Sequence, residues 1–194
     1  MAYRIIRRKP RLIGAVCKDE STMNIRGIMG WAGVFAMTFL VAAGAGVAIT
    51  PVEAVNLALN KPATSSSIEN DEHGAAQAND GNADTCWRAD DEPESGAEWW
   101  QVDLENAADL SGCQITWPYD GMKYRCKVEG STDRKAWSML SDRTKSTART
   151  QVWNLTFEKA RAIRYVKITV TGFDDGCWAS LSEVKVFGSA ERHE

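Results

Sequence analysis

The chain has 194 residues, a formal net charge of -3 and an apolar share of 44%, which suits one domain with an appendage and argues against a disordered polymer. Residues 66–100 hold ten Asp or Glu against a single base, Arg88. A surface so acidic repels phosphate backbones and anionic lipid, so nucleic acid and acidic membranes are poor partners for it.

The first 27 residues are basic, with Arg4, Arg7, Arg8, Lys9, Arg11, Lys18 and Arg26, and residues 27–50 then carry no charge at all. About 20 apolar residues suffice to cross a bilayer, and the basic flank would stay cytoplasmic. Two readings are open. One is a cleaved secretory signal, starting at Met1 or Met23 and ending near Val52 and Ala54, whose small side chains suit signal peptidase. The other is an uncleaved hydrophobic helix that anchors the chain. The stretch "RRKPRL" lies too far upstream of the apolar run for a twin-arginine signal. Both readings divide the chain into an N-terminal segment (1–54), a domain (55–188) and a short polar tail (189–194). Both place the domain outside the cytoplasm, in an extracellular, periplasmic or cell-surface setting.

The cysteine count agrees. Cys17 falls in the N-terminal segment, which leaves Cys86, Cys113, Cys126 and Cys177. No pair has a zinc-site spacing, and in an oxidising compartment disulfides are the first reading.

From Leu57 onward the apolar period is two. In "WWQVDL", Trp100, Val102 and Leu104 share a face, and in "CQITW", Cys113, Ile115 and Trp117 do. "YRCKVEG" aligns Tyr124, Cys126 and Val128 opposite Arg125, Lys127 and Glu129. "VWNLTF", "RYVKITV" and "EVKVFG" continue the alternation, and "YDGMK", "STDRKA" and "TGFDDG" are turns. Short alternating strands with turns this frequent predict an antiparallel all-β sandwich or barrel. The bases from Lys123 to Lys167 sit at alternate strand positions and in turns, as on a solvated sheet face.

The order "NLALNKPATSSS", "AAQANDGNADTCW", "WWQVDL", "YRCKVEGSTDRKAW", "IRYVKITV", "WASLSEVKVFG" resembles a discoidin domain of the coagulation factor 5/8 C-terminal type. Within that superfamily it is most similar to bacterial family 32 carbohydrate-binding modules. The resemblance implies an eight-stranded antiparallel jelly-roll sandwich, galactose-binding-domain-like, with a ligand site on the loops at one end. It implies a non-catalytic module that binds glycans, galactose-type sugars among them, beside an associated secreted enzyme. Adhesion to protein or lipid is the alternative, and a glycoside hydrolase fragment a weaker one. No HExxH, nucleophile elbow or phosphate-binding glycine loop is present.

The same resemblance makes "DGNADTCW" a structural calcium loop. Calcium takes six to eight oxygens from carboxylates, carbonyls and hydroxyls. Asp80, Asn82 and Thr85 supply three, Gly81 permits the tight turn, and the resemblance adds Gln77, Ser182 and Glu183. If Asp80, Thr85 and Glu183 converge, Cys86 and Cys177 are expected to meet in a disulfide. Cys113 and Cys126 are read either as a bridge or as two buried thiols.

For the ligand site, the loops offer Glu69, Asn70, His73, Arg88, Asp91, Tyr119 and Trp178. Sugar sites pair an aromatic face with planar polar groups. His73 is either a sugar contact or incidental, and Trp178 either stacks on a sugar or covers Cys177. Trp87, Trp100 and Trp137 are assigned to packing.

Overall fold

The computed structural model describes residues 55–90, 98–175 and 177–190. The expected N-terminal hydrophobic helix, Cys17, Asp91 and the tail beyond Ala190 lie outside the described residues. Within them the chain forms eight strands: β1 (Ala63–Ser65), β2 (Trp87–Arg88), β3 (Glu98–Thr116), β4 (Tyr124–Ser131), β5 (Ser138–Asp142), β6 (Val152–Phe173), β7 (Ser180–Leu181) and β8 (Glu183–Ala190). Two 3-10 turns, Asp71–His73 and Ala75–Ala78, sit between β1 and β2. Every strand pairing is antiparallel, and the fold is a jelly roll.

β3 and β6 are too long for one layer, and each bends from one sheet into the other. The first half of β3 pairs with β1 and with the second half of β6, which in turn pairs with β4, and β4 with β5. The second half of β3 pairs with the first half of β6 and with β8. Register shifts between Asp103 and Gly112 mark the corner, where extra residues unpair and bend the strand. The corner forces left-handed backbone on two non-glycine residues, Glu105 (φ 67) and Ala162 (φ 53). Each costs roughly 1 kcal/mol, and each is braced by an aspartate. Asp103 Oδ1 accepts the Glu105 N–H at 2.8 Å, and Asp109 Oδ1 accepts the Ala162 N–H at 3.0 Å. Arg164 closes on the same Asp103 with two donors, Nε at 2.8 Å and Nη2 at 3.0 Å. That guanidinium holds the Asp103 carboxyl below the usual carboxylate range, so the ion pair ties the bend of β3 to the strand it crosses.

The core between the layers is the alternating set expected from sequence. Trp100, Val102, Cys113, Ile115, Trp117, Tyr124, Cys126, Val128, Val166, Ile168, Val184 and Val186 are all at or below 2% exposure. Trp117 stacks on Tyr124 with centroids 4.3 Å apart and meets Trp153 edge-on at 5.1 Å. Cys113 and Cys126 are free, buried thiols, the second of the two states expected for them. Burial pushes the Cys113 thiol far up, with the neighbouring Cys126 adding to it, and pushes Cys126 up to about 12. Trp87 and Trp100 are packed at zero exposure, but Trp137 is not in the core. It lies partly exposed, its Nε1–H donating to the Arg134 carbonyl and its ring under Lys167 Nζ at 4.0 Å. The turn that carries it sits outside the sandwich. Lys127 and Lys167 both reach Glu129, at 3.2 and 3.8 Å, so this basic strand face is a solvated, ion-paired surface.

At the corner of β3 a glycine leaves room for the neighbouring strand's backbone. A Cβ at Gly112 would stand 2.3 Å from the Leu155 carbonyl oxygen on the paired strand. Gly112→Ala is therefore expected to destabilise the domain by about 2 kcal/mol or more, read as a lower urea midpoint at unchanged slope.

Candidate functional site

β2 follows the "DGNADTCW" loop directly and pairs with β7 in a two-residue ladder, Trp87 opposite Leu181 and Arg88 opposite Ser180. This ladder carries one site at each end.

At the first end, the loop 77–85 is a knot of oxygen acceptors. Asp80 Oδ1 accepts the Asn82 N–H and Oδ2 the Thr85 hydroxyl, both at 2.8 Å. Gly81, with φ 85, makes the turn a side chain would strain. The Thr85 hydroxyl lies 2.8 Å from the Asn82 carbonyl and 3.4 Å from that of Gln77. Asn82 Oδ1 is engaged by the Asp84 N–H, which leaves its carbonyl as the oxygen turned to Thr85. Glu183, from far along the chain, reaches the same loop: its Oε2 accepts the Gly81 N–H at 3.2 Å. Gln77, Asp80, Asn82, Thr85 and Glu183 are thus brought together as expected. Ser182 is adjacent and buried, its N–H bonded to the Thr116 carbonyl.

Glu183 is 2% exposed, and its Oε1 is a buried acceptor with no hydrogen-bond partner among the described residues. Burial, with Asp80 adding to it, pushes its carboxyl up to about 7. An orphaned carboxylate oxygen beside a second carboxylate, a hydroxyl and carbonyls is the donor set a hard divalent cation takes. Sequence reading missed Asn79, which is buried. Its Nδ2 holds the carbonyls of Ala58 and Lys61 at 2.6 and 2.9 Å, tying the loop to the domain's first residues. Nothing in its local pattern separates it from an ordinary turn asparagine.

At the second end, Arg88 is buried (8% exposed) rather than a loop-tip base. Its Nη1 lies 3.0 Å from Glu69 Oε2, and its guanidinium carbon stands 5.2 Å from the Trp178 ring centroid. His73 is set between two acceptors, with Nδ1 3.1 Å from the Cys86 carbonyl and Nε2 3.6 Å from Glu69 Oε2. Tyr119 lies within electrostatic reach of Arg88, Glu69 and Cys177, and burial raises its hydroxyl above the ordinary value. Glu69, His73, Arg88, Tyr119 and Trp178 therefore form one constellation. Asn70 stands beside it as a cap, its Oδ1 accepting the Glu72 N–H at 2.9 Å; Asp91 lies outside the described residues.

The expected Cys86–Cys177 disulfide is not formed, since Cys177 is a free, buried thiol. The ladder pairs only Trp87 with Leu181 and Arg88 with Ser180, and Cys177 lies before β7 begins. Cys177 is turned instead toward the Tyr124 hydroxyl. Two loops can share an ion without their cysteines sharing a rung.

The F5/8 type C domain family matches residues 62–184. Among solved structures, the chitosan-binding module 1 of a chitosanase/glucanase from Paenibacillus sp. IK-5 is 29% identical, with TM-score 0.60, covering 69% of this chain and 99% of that one. Module 2 of the same enzyme, solved with chitotriose, is 28% identical with TM-score 0.57, over 69% and 100% of the two chains. CpGH89CBM32-4 from Clostridium perfringens, in complex with glcNAc-alpha-1,4-galactose, shares the fold at 21% identity and TM-score 0.60, over 74% and 100%. No curated protein matches the chain.

Two outcomes follow from this geometry. Glu183 has a folded value of about 7 against an ordinary 4.5, so the metal-free fold binds its proton more tightly than the unfolded chain does. Its ionisation therefore costs nothing below pH 4.5, costs progressively more between 4.5 and 7, and is fully unfavourable above that. In chelator, the Tm contribution of this group is expected to fall across that window, and Glu183→Gln to flatten the fall, as followed by scanning calorimetry at several pH values. Peptide mapping of unreduced protein is expected to recover Cys113, Cys126 and Cys177 as thiols; a Cys86–Cys177 cross-linked peptide would contradict the free state of Cys177.

Proposed function

The chain belongs to the F5/8 type C domain family, and on that basis we propose that it is an exported, non-catalytic carbohydrate-binding module stabilised by calcium. The constellation of Glu69, His73, Arg88, Tyr119 and Trp178 carries the reading. An aromatic face for the C–H side of a pyranose stands beside a planar guanidinium, an imidazole and a carboxylate for its hydroxyls, with Arg88 fixed on a short ladder and Glu69 and Trp178 brought against its guanidinium. Solved modules 27–29% identical to this chain are described with chitosan, chitotriose and Lewis b, which supports a saccharide ligand. Galactose-type sugars remain within that class. The acids around the loops disfavour anionic lipid and nucleic acid, and the uncharged run 27–50 supports export.

Calcium would be held by Asp80, Thr85 and Glu183 with the carbonyls of Gln77, Asn82 and Ser182. When bound it supplies positive charge beside Glu183, whose ionisation burial and the Asp80 carboxylate otherwise oppose, and its role is structural. The residues' own work is to close the loop against the start of β8: Glu183 already takes the Gly81 N–H, and the Asp80 carboxylate takes the Thr85 hydroxyl.

A ligand that binds only the folded state stabilises by about 2.7 kcal/mol at a hundredfold excess over its Kd. Calcium is accordingly expected to raise the Tm by several degrees over chelator in the wild type but not in Glu183→Gln. On a glycan array with calcium present, binding is expected, with Trp178→Ala and His73→Ala each weakening it roughly tenfold or more, a cost of about 1.4 kcal/mol. An unchanged Tm with calcium would refute the metal reading alone. A silent array would refute the glycan reading.

A further inference from the structure

One side of the sandwich ends in two open strand edges. β5 is the last strand of its sheet and bonds to β4 alone; the first half of β6, from Val152 to Ala160, bonds to β3 alone. Among the described residues no strand pairs with the far edge of either. The turn 143–151 joins β5 to β6 at one end. Beyond it the two edges face each other across a groove of about 430 Å³, lined by Met139, Leu140, Thr156, Phe157, Glu158 and Lys159.

An open edge offers backbone N–H and C=O groups to any extended chain, and proteins commonly guard it with charge or proline. The β6 edge has neither along "VWNLTF", residues 152–157. This run is regular strand, with Val152, Asn154 and Thr156 exposed and Trp153, Leu155 and Phe157 buried. Uncharged and rich in strand-forming side chains, it is a template for strand addition. The groove gives an incoming strand's side chains somewhere to go. Leu140 packs on the core, Phe157 is buried, and Met139 stands 53% exposed beside them.

Charge flanks the uncharged run. Arg143 and Lys145 lie in the joining turn, and Lys159 and Arg161 follow Phe157. All four are exposed, and none is ion-paired among the described residues. Arg149 is not counted with them, because it pairs with Asp174 at 3.4 Å. Asp142 and Glu158 are the neighbouring acids, and Thr144 engages the Asp142 carboxylate through its N–H at 2.9 Å and its hydroxyl at 2.7 Å. Four bases against two acids leave this side net positive.

That combination discriminates among partners. A second copy of this chain would bring the same basic edge, and like charges oppose that pairing. An anionic polysaccharide would meet the bases but use neither the backbone edge nor Met139. An acidic polypeptide in extended form uses all three. We propose that the β5–β6 groove docks an extended acidic segment of a partner protein, added as a strand to the free edge of β6. Its carboxylates would meet Arg143 and Lys145 at one end and Lys159 and Arg161 at the other, with an apolar side chain against Met139. The groove shares no residue with the Arg88–Trp178 constellation, so the proposal stands independently of the glycan reading.

The test titrates the full-length protein calorimetrically with three synthetic peptides: the acidic strand former DEVTVTVTED, its basic counterpart KKVTVTVTKK, and DEVTPTVTED, whose proline removes a ladder donor. The acidic peptide is expected to bind at least roughly tenfold more tightly than either of the others. In its complex, hydrogen exchange followed by mass spectrometry is expected to slow at the amides of residues 152–158. Lys159→Glu combined with Arg161→Glu is expected to weaken binding by a similar factor at unchanged Tm, both side chains being exposed. Should that variant fold poorly, Lys145→Glu reads the same requirement from the other end of the groove. Absence of binding by the acidic peptide would overturn the proposal, as would equal affinity for the proline peptide. Binding with no slowing at 152–158, and displacement of the peptide by dextran sulfate, would overturn it in favour of a surface for polyanions.

Discussion

Two rungs of antiparallel ladder, Trp87 with Leu181 and Arg88 with Ser180, hold this domain's working end together. The residues of the first rung are fully buried, so the contact is a piece of core rather than a surface clip. Going one way from it the chain enters the Asp80 loop and meets Glu183; going the other it presents Arg88 to Trp178 and Glu69. The oxygen-rich knot and the aromatic-guanidinium site are thus opposite ends of one short element. Arg88 lies three residues beyond the loop 77–85, so the cation proposed for that loop would act close to the proposed recognition site.

Two of the near-buried carboxylates among the described residues, Asp103 and Glu183, have opposite fates. Asp103 meets a forked guanidinium and a backbone N–H, and its ionised form is favoured. Glu183 meets one backbone N–H and another carboxylate, and its ionised form is opposed. The difference is one of partner, not depth. A carboxylate satisfied by the protein's own cation is architecture, and here it braces the corner at which β3 passes between layers. Glu183 instead keeps a buried oxygen with no hydrogen-bond partner among the described residues, and it is there that the proposed cation would serve.

Much of this was legible in the order of residues. The period-two runs name the inward face of β3, β4, β6 and β8, because a strand's side chains alternate regardless of what the strand pairs with. The convergence of Asp80 with Glu183 and of Arg88 with Trp178 rests on the resemblance to discoidin domains, since nothing local brings residues so distant in sequence together. Trp137 was misread because the resemblance to discoidin domains assigned it to the core, whereas it sits in the turn before β5, outside the sandwich. Gln101 is buried although its alternation points it outward, since β1 and β6 flank it on both sides.

The Cys86–Cys177 expectation marks the boundary most sharply. Sequence by itself determined that the chain is all-β, which side chains turn inward, and that the loops at one end are acidic, because these depend on local period and composition. Tertiary structure alone decided that β2 and β7 align with Trp87 opposite Leu181, that Arg88 is buried against Glu69 instead of reaching into solvent, and that Glu183 keeps one oxygen without a hydrogen-bond partner among the described residues. Register, burial and satisfaction are properties of pairs far apart in the chain. A shift of a few residues along a ladder changes all three while leaving every local pattern intact.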